Sequence, residues 1–531
     1  MNLPRALRIG LLPATVTALL LSAAAPAGAV PKPAPAKVSK QAPAKAAPSK
    51  TAPSKTAPAK VSKPTPAKVS KPATVAKPAT AKATAGRLAA LQVAKQINYY
   101  PSAAGWTKMW TSFDARTVDA DLARARGMGA DSVRVMVFPS VFGYPTPKPE
   151  YTAKLAQFVT TAAGHGMTVK LTLFDWWNSY GDVTGSSTWA SAILAPYRND
   201  PRILSVDLQN ELDPDNAAAL AWAKRLVPAV QAAAPAIPVT VSSNTVARLA
   251  KVRANLTLDY YDFHLYGYSE RALSAIRQAQ AVVGSAAPLV VGETGVSALT
   301  WGEGEQAAFL ARVFQAASVA GIRSVAPWTL YDFTPGAIPD SAVAKSPGEY
   351  HYGLYRTDGS AKPAAAVVKA AWTGTAFPAS VQDLGFENAV GQTPWRSFMP
   401  ELGVPSLTRS AAHSGSWSVS LSGTGKASAG LPSYRLNPVT AVQPGQKWHA
   451  EVWARGNAAT GTTQIALSWF DANDKWLGGQ GSALLANGTT GWTKLAVDGT
   501  APVGAASVQV HLKSGANTGT VWFDDVAMSV A

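Results

Sequence analysis

The chain of 531 residues contains no cysteine. That absence excludes a disulfide framework and a lipid-modified cysteine, so its domains must be held by apolar burial alone. Acidic residues are missing from a second, local place: residues 31–86 carry twelve lysines and no Asp or Glu. Those lysines, with Arg5 and Arg8, account for fourteen of the +17 formal charges and leave about +3 for everything after residue 86. The basicity therefore belongs to a tail, and the balance of the folded part argues against a nucleic-acid partner. Apolar runs long enough to span a bilayer are absent downstream of the N-terminus. What remains, 47% apolar residues with 17 Trp, is enough for large cores, and the length suggests two or three domains.

The first residues run from Arg5 and Arg8 through an apolar stretch (Ile9 to Leu21) to Ala27-Gly28-Ala29. This order of charge, apolar run and small-x-small site predicts a signal peptide over residues 1–29 and a secreted, extracellular or cell-wall-associated protein. An uncleaved anchor is the alternative, but Pro13 interrupts a run already short of about 18 residues. Residues 30–86 read as a disordered Pro/Ala/Lys-rich linker in which Pro-Ala-Lys-Val-Ser-Lys recurs at Pro35, Pro58 and Pro66. Its unbalanced lysines make an anionic cell-wall polymer a second expected partner, through an attraction that salt would screen.

From residue 87 to 374 short apolar runs alternate with stretches of helical periodicity. Strands are expected near Gln96–Tyr100, Ser132–Pro139, Thr168–Phe174, Ile203–Gln209, Val239–Ser243, Tyr260–Tyr266, Pro288–Gly292 and Ser324–Leu330. The first five start 35 or 36 residues apart. Runs apolar on both faces suit parallel strands covered by helices. Eight such units predict an α/β fold, a (β/α)8 TIM barrel. An open doubly wound sheet competes, but no glycine-rich phosphate turn follows the first strand. From residue 378 to 531 the helical period gives way to alternating runs such as Ile465-Ala-Leu-Ser-Trp, separated by Gly/Asn/Ser/Thr clusters. This predicts an all-β jelly-roll sandwich.

In a barrel of this kind chemistry belongs at the C-terminal ends of strands, a rule that filters the carboxylates. Two glutamates pass: Glu211 after Asp207-Leu-Gln-Asn210, and Glu293 after Val290-Val-Gly. A carboxylate following an apolar run is costly unless it is used or paired. Arg134 lies within the second strand, Asp175-Trp176-Trp177 end the third, His264 and Tyr266 share a face of the sixth, and Trp328 ends the eighth.

Asn-Glu ending the fourth strand with Glu ending the seventh resembles the clan A retaining glycoside hydrolases. Arg134, His264-x-Tyr266 and Trp328 make residues 96–372 similar to family 5, the cellulase-like group. The resemblance implies Glu211 as acid/base and Glu293 as nucleophile, with no catalytic cofactor and a polysaccharide or oligosaccharide substrate. It further implies that Arg134 and Tyr266 orient Glu293, that His264 orients Tyr266 or meets substrate, and that Asn210 binds the sugar 2-hydroxyl. Trp328 becomes the platform under the reacting sugar, and Trp176 a further substrate contact. Bland alternatives are a structural Arg134–Asp207 pair, a barrel histidine, and Trp176 and Trp177 packed under a loop. Tyr180 and Trp301 also lie in loops after strands. One departure is that many relatives carry His where this chain has Asp175-Trp176-Trp177. A transglycosylase using the same pair, and an idle barrel that only binds carbohydrate, are the competing functions. A monomer is expected.

Gly385-Phe-Glu387-Asn388 and Val521-Trp-Phe-Asp524-Asp525-Val bracket the C-terminal segment, which resembles carbohydrate-binding jelly rolls of families 4, 9 and 22. The resemblance implies a structural calcium, with Glu387 and Asp525 as oxygen ligands. Trp395, Trp448, Trp476 and Trp492 are the candidate sugar-stacking residues.

Overall fold

The computed structural model describes residues 77–531, apart from 268, 286, 340, 342, 389–392, 399–404, 426–432, 437–439 and 474. The expected leader and the repeat-bearing linker up to residue 76 lie outside the described residues. The linker's last ten residues depart from expectation, because a helix spans Lys77–Leu91. Pro78 falls in its first turn, where a missing N–H costs nothing, and no further proline follows. Tertiary anchoring holds it. The Arg87 guanidinium donates to the carbonyls of Asp200, Ile203 and Ala236 at 2.8–2.9 Å. Leu91 packs with Leu204, Tyr260 and Val290, with Leu88 against them. Among the described residues no helix is long and apolar enough to cross a membrane.

The first unit alternates strands and helices. Five parallel strands form one sheet in sequence order: β1 (Gln96–Asn98), β2 (Ser132–Met136), β3 (Thr168–Thr172), β4 (Ile203–Asp207) and β5 (Val239–Thr240). Four more form a second: β6 (Ser242–Ser243), β7 (Tyr261–Leu265), β8 (Leu289–Thr294) and β9 (Val325–Pro327). Only Val241 separates β5 from β6, so the single fifth strand expected from sequence is present as two short ladders. At the other seam, Leu330 N donates to Asn98 O at 3.2 Å and Asn98 Nδ2 to Pro327 O at 3.1 Å. The strands thus follow one another around a closed ring. Helices lie between them, and their apolar stripes face inward: Val118, Leu122 and Ala125 of Ala115–Gly127, and Ala223, Leu226 and Val227 of Ala217–Ala233, are buried. The first five strands are buried at nearly every position on both faces, as a helix-covered sheet requires.

The second unit is antiparallel. Its strands are β10 (Trp395–Phe398), β11 (Pro405–Thr408), β12 (Ser418–Ser422), β13 (Ser433–Leu436), β14 (Thr440–Ala441), β15 (Lys447–Asn457), β16 (Thr462–Phe470), β17 (Trp476–Gly481), β18 (Thr493–Thr500), β19 (Ser507–Gly515) and β20 (Thr520–Val530). One sheet runs β10-β13-β19-β16-β17, with β14 also on β19, and the other β11-β12-β20-β15-β18. Their inner faces share one core: Val419, Val452 and Phe523 from one sheet meet Leu467, Trp469 and Val510 from the other. Strand β15 shows the two-residue period plainly, with Ala450, Val452 and Ala454 buried and the residues between them half-exposed or exposed. Trp395 and Trp448 belong to this core, at 1% and 6% exposure, and so present no ring for stacking. Trp476 is 62% exposed and Trp492 half-buried. The two units touch where Arg396 Nη2 lies 3.3 Å from Glu305 Oε2 of the helix Glu303–Val319.

Candidate active site

Seven strands bring one polar cluster together. Arg134, on β2, is fully buried and uses all five of its N–H groups. Its Nε donates to Thr172 Oγ1 at 2.7 Å. One terminal nitrogen donates to Asn98 Oδ1 at 3.0 Å and to Glu293 Oε1. The other donates to Asp207 Oδ2 at 2.9 Å and Asn210 Oδ1 at 2.8 Å. The expected contact with Glu293 and the alternative pair with Asp207 are therefore both present. Burial opposes the guanidinium's charge, but Glu293, Asp207 and Asp262 more than offset it and hold it firmly protonated. Because Asn210 spends its carbonyl oxygen on Arg134, its Nδ2 is turned away from Arg134 as a hydrogen-bond donor.

Glu293, on β8, accepts at Oε2 from the Tyr266 hydroxyl at 2.9 Å. Glu211 sits just past β4 in the left-handed backbone region (φ +48°), where a residue with a side chain is strained. Its N–H donates to Ser242 Oγ at 2.8 Å, and Asp207 Oδ1 in turn accepts from Ser242 N, so β4 and β6 hold this backbone jointly. Its carboxylate meets Asn244 Nδ2 at 2.6 Å and His264 Nδ1 at 3.0 Å.

His264 departs from one expectation. It stands between the two glutamates, Nδ1 also 3.3 Å from Glu293 Oε2, rather than against Tyr266. The register explains this, since His264 of β7 is the direct neighbour of Glu293 on β8. Behind it, Asp262 Oδ1 lies 3.9 Å from Nε2, and Lys170 pairs with the other oxygen of Asp262, all three residues fully buried. Burial opposes a charged imidazole, but Glu293, Glu211 and Asp262 together raise its pKa.

Aromatic rings line the mouth. Trp328 is 7% exposed, and its ring lies 5.8 Å from that of Trp106, which stacks on Trp176 at 6.1 Å and 17°. Trp176 also meets the edge of Phe138. Tyr180 accepts from Gln209 Nε2, while Trp301 lies 42% exposed beside Arg396. Two further carboxyls face the pair. Burial pushes Asp175 up to about 7, against Arg134 and helped by Glu293. Burial, then Glu293 and Glu211, pushes Glu349 up to about 8.

Asn98, Asn244, Trp106 and Glu349 were not among the residues expected. Asn244 stands at the end of the fifth strand, so the strand-end rule reaches it once amides are admitted beside carboxylates. Glu349 comes from a short 3-10 turn (Pro347–His351) well beyond β9 and has no such signal.

In the second unit, Glu387 Oε1 accepts from the N–H groups of Ser416 and Trp417. The Asp525 oxygens face Ser414 Oγ and His413 Nδ1 at 2.7 and 2.6 Å. One oxygen of Glu387 and both oxygens of Asp525 thus face protein donors. Among the described residues, Glu211, His264 and Glu293 alone form a group of three with metal-ligand spacing, their atoms within 4.8 Å of one another.

No family model and no curated protein matches the sequence. Solved structures similar to it include GH5_18 from Streptomyces cattleya in complex with GlcNAc, at 20% identity, 53% of this chain, 81% of that one and a TM-score of 0.46. Others are an exo-beta-1,4-mannosidase from an Opitutaceae bacterium (18%, 52% and 59%, 0.46) and a GH2 beta-galacturonidase from Eisenbergiella tayi (15%, 54% and 52%, 0.44). What the site can do follows from its own residues.

Proposed function

We propose that the first unit is a (β/α)8 retaining glycosidase acting on β-linked sugars, with Glu293 as nucleophile and Glu211 as acid/base. The observation that carries this is the approach of one Glu211 oxygen and one Glu293 oxygen to within 4.8 Å. Double displacement needs a separation of about 5–5.5 Å, whereas inversion needs about 6.5–9.5 Å to seat a water. Their surroundings divide the roles. Glu293 receives a guanidinium and a phenol, donors that hold its carboxylate aimed for attack. Glu211 receives an amide and His264, which suits a group that gives up and regains a proton.

In the first step Glu293 attacks the anomeric carbon while Glu211 protonates the departing oxygen. In the second, Glu211 takes a proton from water as that water displaces Glu293. Asn210 Nδ2 serves the sugar 2-hydroxyl, and Trp328 the apolar sugar face. A metal centre at the same trio fits less well: a cation at Glu293 would compete with the guanidinium of Arg134 for the same carboxylate.

The C-terminal unit is read as a carbohydrate-binding jelly roll with Trp476 as its most accessible ring, and export and adhesion of the Lys-rich arm to anionic polymers complete the proposal. A 2-deoxy-2-fluoro glycosyl fluoride tests it. Trapping on Glu293, read by peptide mass spectrometry, supports the assignment, and a label on another residue overturns it. Product analysis at high acceptor concentration separates hydrolysis from transfer.

A further inference from the structure

Asp175 is 3% exposed, and its carboxylate accepts from the backbone N–H of Trp176. It lies between two residues in the left-handed region, Phe174 (φ +49°) and Trp176 (φ +57°), so the backbone is strained where the carboxylate is placed. Near it the hydroxyl of Tyr100, fully buried, has no partner among the described residues. Asp175 is the foremost charge acting on that phenol, and Arg134 and Glu293 act on both residues, which puts all four in one site. Buried polar groups without partners are rare, because each costs about 1–3 kcal/mol. One such phenol, beside a buried carboxylate that has oxygen lone pairs to spare, points to a ligand.

The walls around them decide what kind. The Tyr100 ring lies 5.1 Å from Trp106 and 6.0 Å from Trp328, and Trp106 stacks on Trp176. Trp106 is 5% exposed, Trp328 7%, Glu293 4% and Glu211 8%. A cleft crossed by a polymer would leave such groups open along its length, whereas these rings and carboxylates are nearly enclosed. We propose that Asp175 and Tyr100 clamp neighbouring hydroxyls of a terminal sugar in the reacting subsite, with Trp106 as the end wall. A carboxylate accepts from two adjacent hydroxyls at once, and the phenol both donates and accepts. This rests on the retaining-glycosidase reading above.

The test uses the full chain on aryl β-glycosides of glucose, mannose, xylose and galactose, then on monodeoxy analogues of the best substrate. Asp175→Asn and Asp175→Ala should lower kcat/KM at least about a hundredfold on the parent glycoside, because a site built for hydroxyls discriminates strongly. On the analogue lacking the clamped hydroxyl the same variants should cost only a few-fold. A reducing-end-labelled oligosaccharide should shorten one sugar at a time. Equal losses on every analogue, no loss at all, or cuts in the middle of the oligosaccharide each overturn the proposal. Labelling of wild-type Glu293 in the same preparation separates the two failures. A labelled enzyme with indifferent Asp175 variants sinks only the clamp, and an unlabelled, inactive one sinks the glycosidase reading beneath it.

Discussion

A Cβ placed on Gly292 would fall inside the carboxylate of Asp262. Residue 292 directly precedes Glu293 on β8, and Asp262 is the group between Lys170 and His264. The missing side chain is thus what lets a buried ion pair reach in beneath His264. Gly292→Ala must push Asp262 or β8 aside. We expect a fall in melting temperature of about 5 °C or more, as for an overpacked core. Because Glu293 is the adjacent residue, kcat/KM should fall at least about a hundredfold, the usual result of a small misplacement. Thermal melting with kinetics on an aryl glycoside checks both. A variant of native stability and activity would show that the strand has room to shift.

Removing the two glutamates one at a time should expose their different work. Glu211→Ala should lower kcat/KM about 10²–10⁴-fold on substrates with poor leaving groups, and much less on a dinitrophenyl glycoside, which departs without a proton. Azide should restore it and yield a glycosyl azide of retained configuration. Glu293→Ala should lose activity on both substrate types, and azide should then give the inverted product, since the anion replaces the nucleophile on the opposite face. Product configuration by NMR reads the outcome. The reverse pattern would exchange the roles.

Arg134→Lys keeps the charge but has three rotating donors in place of five fixed ones. Five acceptors share Arg134, so two or more buried groups among Asn98, Thr172, Asp207, Asn210 and Glu293 would lose a partner. The expected result is a drop in kcat of about 10²–10³ with KM changed little, the size seen when one preorganised donor is lost from a transition state. Steady-state kinetics suffice, and a variant within threefold of wild type would reduce Arg134 to a simple counter-charge.

These residues differ in how much of their placement was legible in the sequence. Glu211 and Glu293 stood out because each follows an apolar run, and the near-constant spacing of the first strands located those runs. The hydrophobic alternation of β15 and β16 likewise announced an antiparallel unit. Asn244 was hidden because a neutral amide at a strand end looks like any loop residue until it is seen 2.6 Å from Glu211. The helix at Lys77–Leu91 was hidden by composition, since its Lys and Ala continue the repeat before it, and long-range anchors such as those of Arg87 leave no local signal. Trp395 and Trp476 read alike in sequence, yet one lies in the core and the other in solvent, because face and depth are set by strand pairing.

Glu349 joins the site from a distant turn, and its burial beside Glu293 and Glu211 has a consequence for stability. Its folded-state pKa of about 8 lies above the ordinary carboxylate value. Between that ordinary value and 8 the folded protein binds a proton that the unfolded chain has released, so stability falls as pH rises through this window. The contribution is fully present below the unfolded pKa and is gone above 8. Asp175, at about 7, acts in the same direction over a narrower range. Melting temperature should therefore decline from pH 5 to pH 8.5. Glu349→Gln, which keeps the shape without the ionisation, should flatten that decline by at least about 2 °C, given roughly 2–4 °C per kcal/mol for a unit of this size. Differential scanning calorimetry of both proteins across the range decides it. Parallel curves would mean that Glu349 ionises freely in the folded state and takes no part in the electrostatics of the pair.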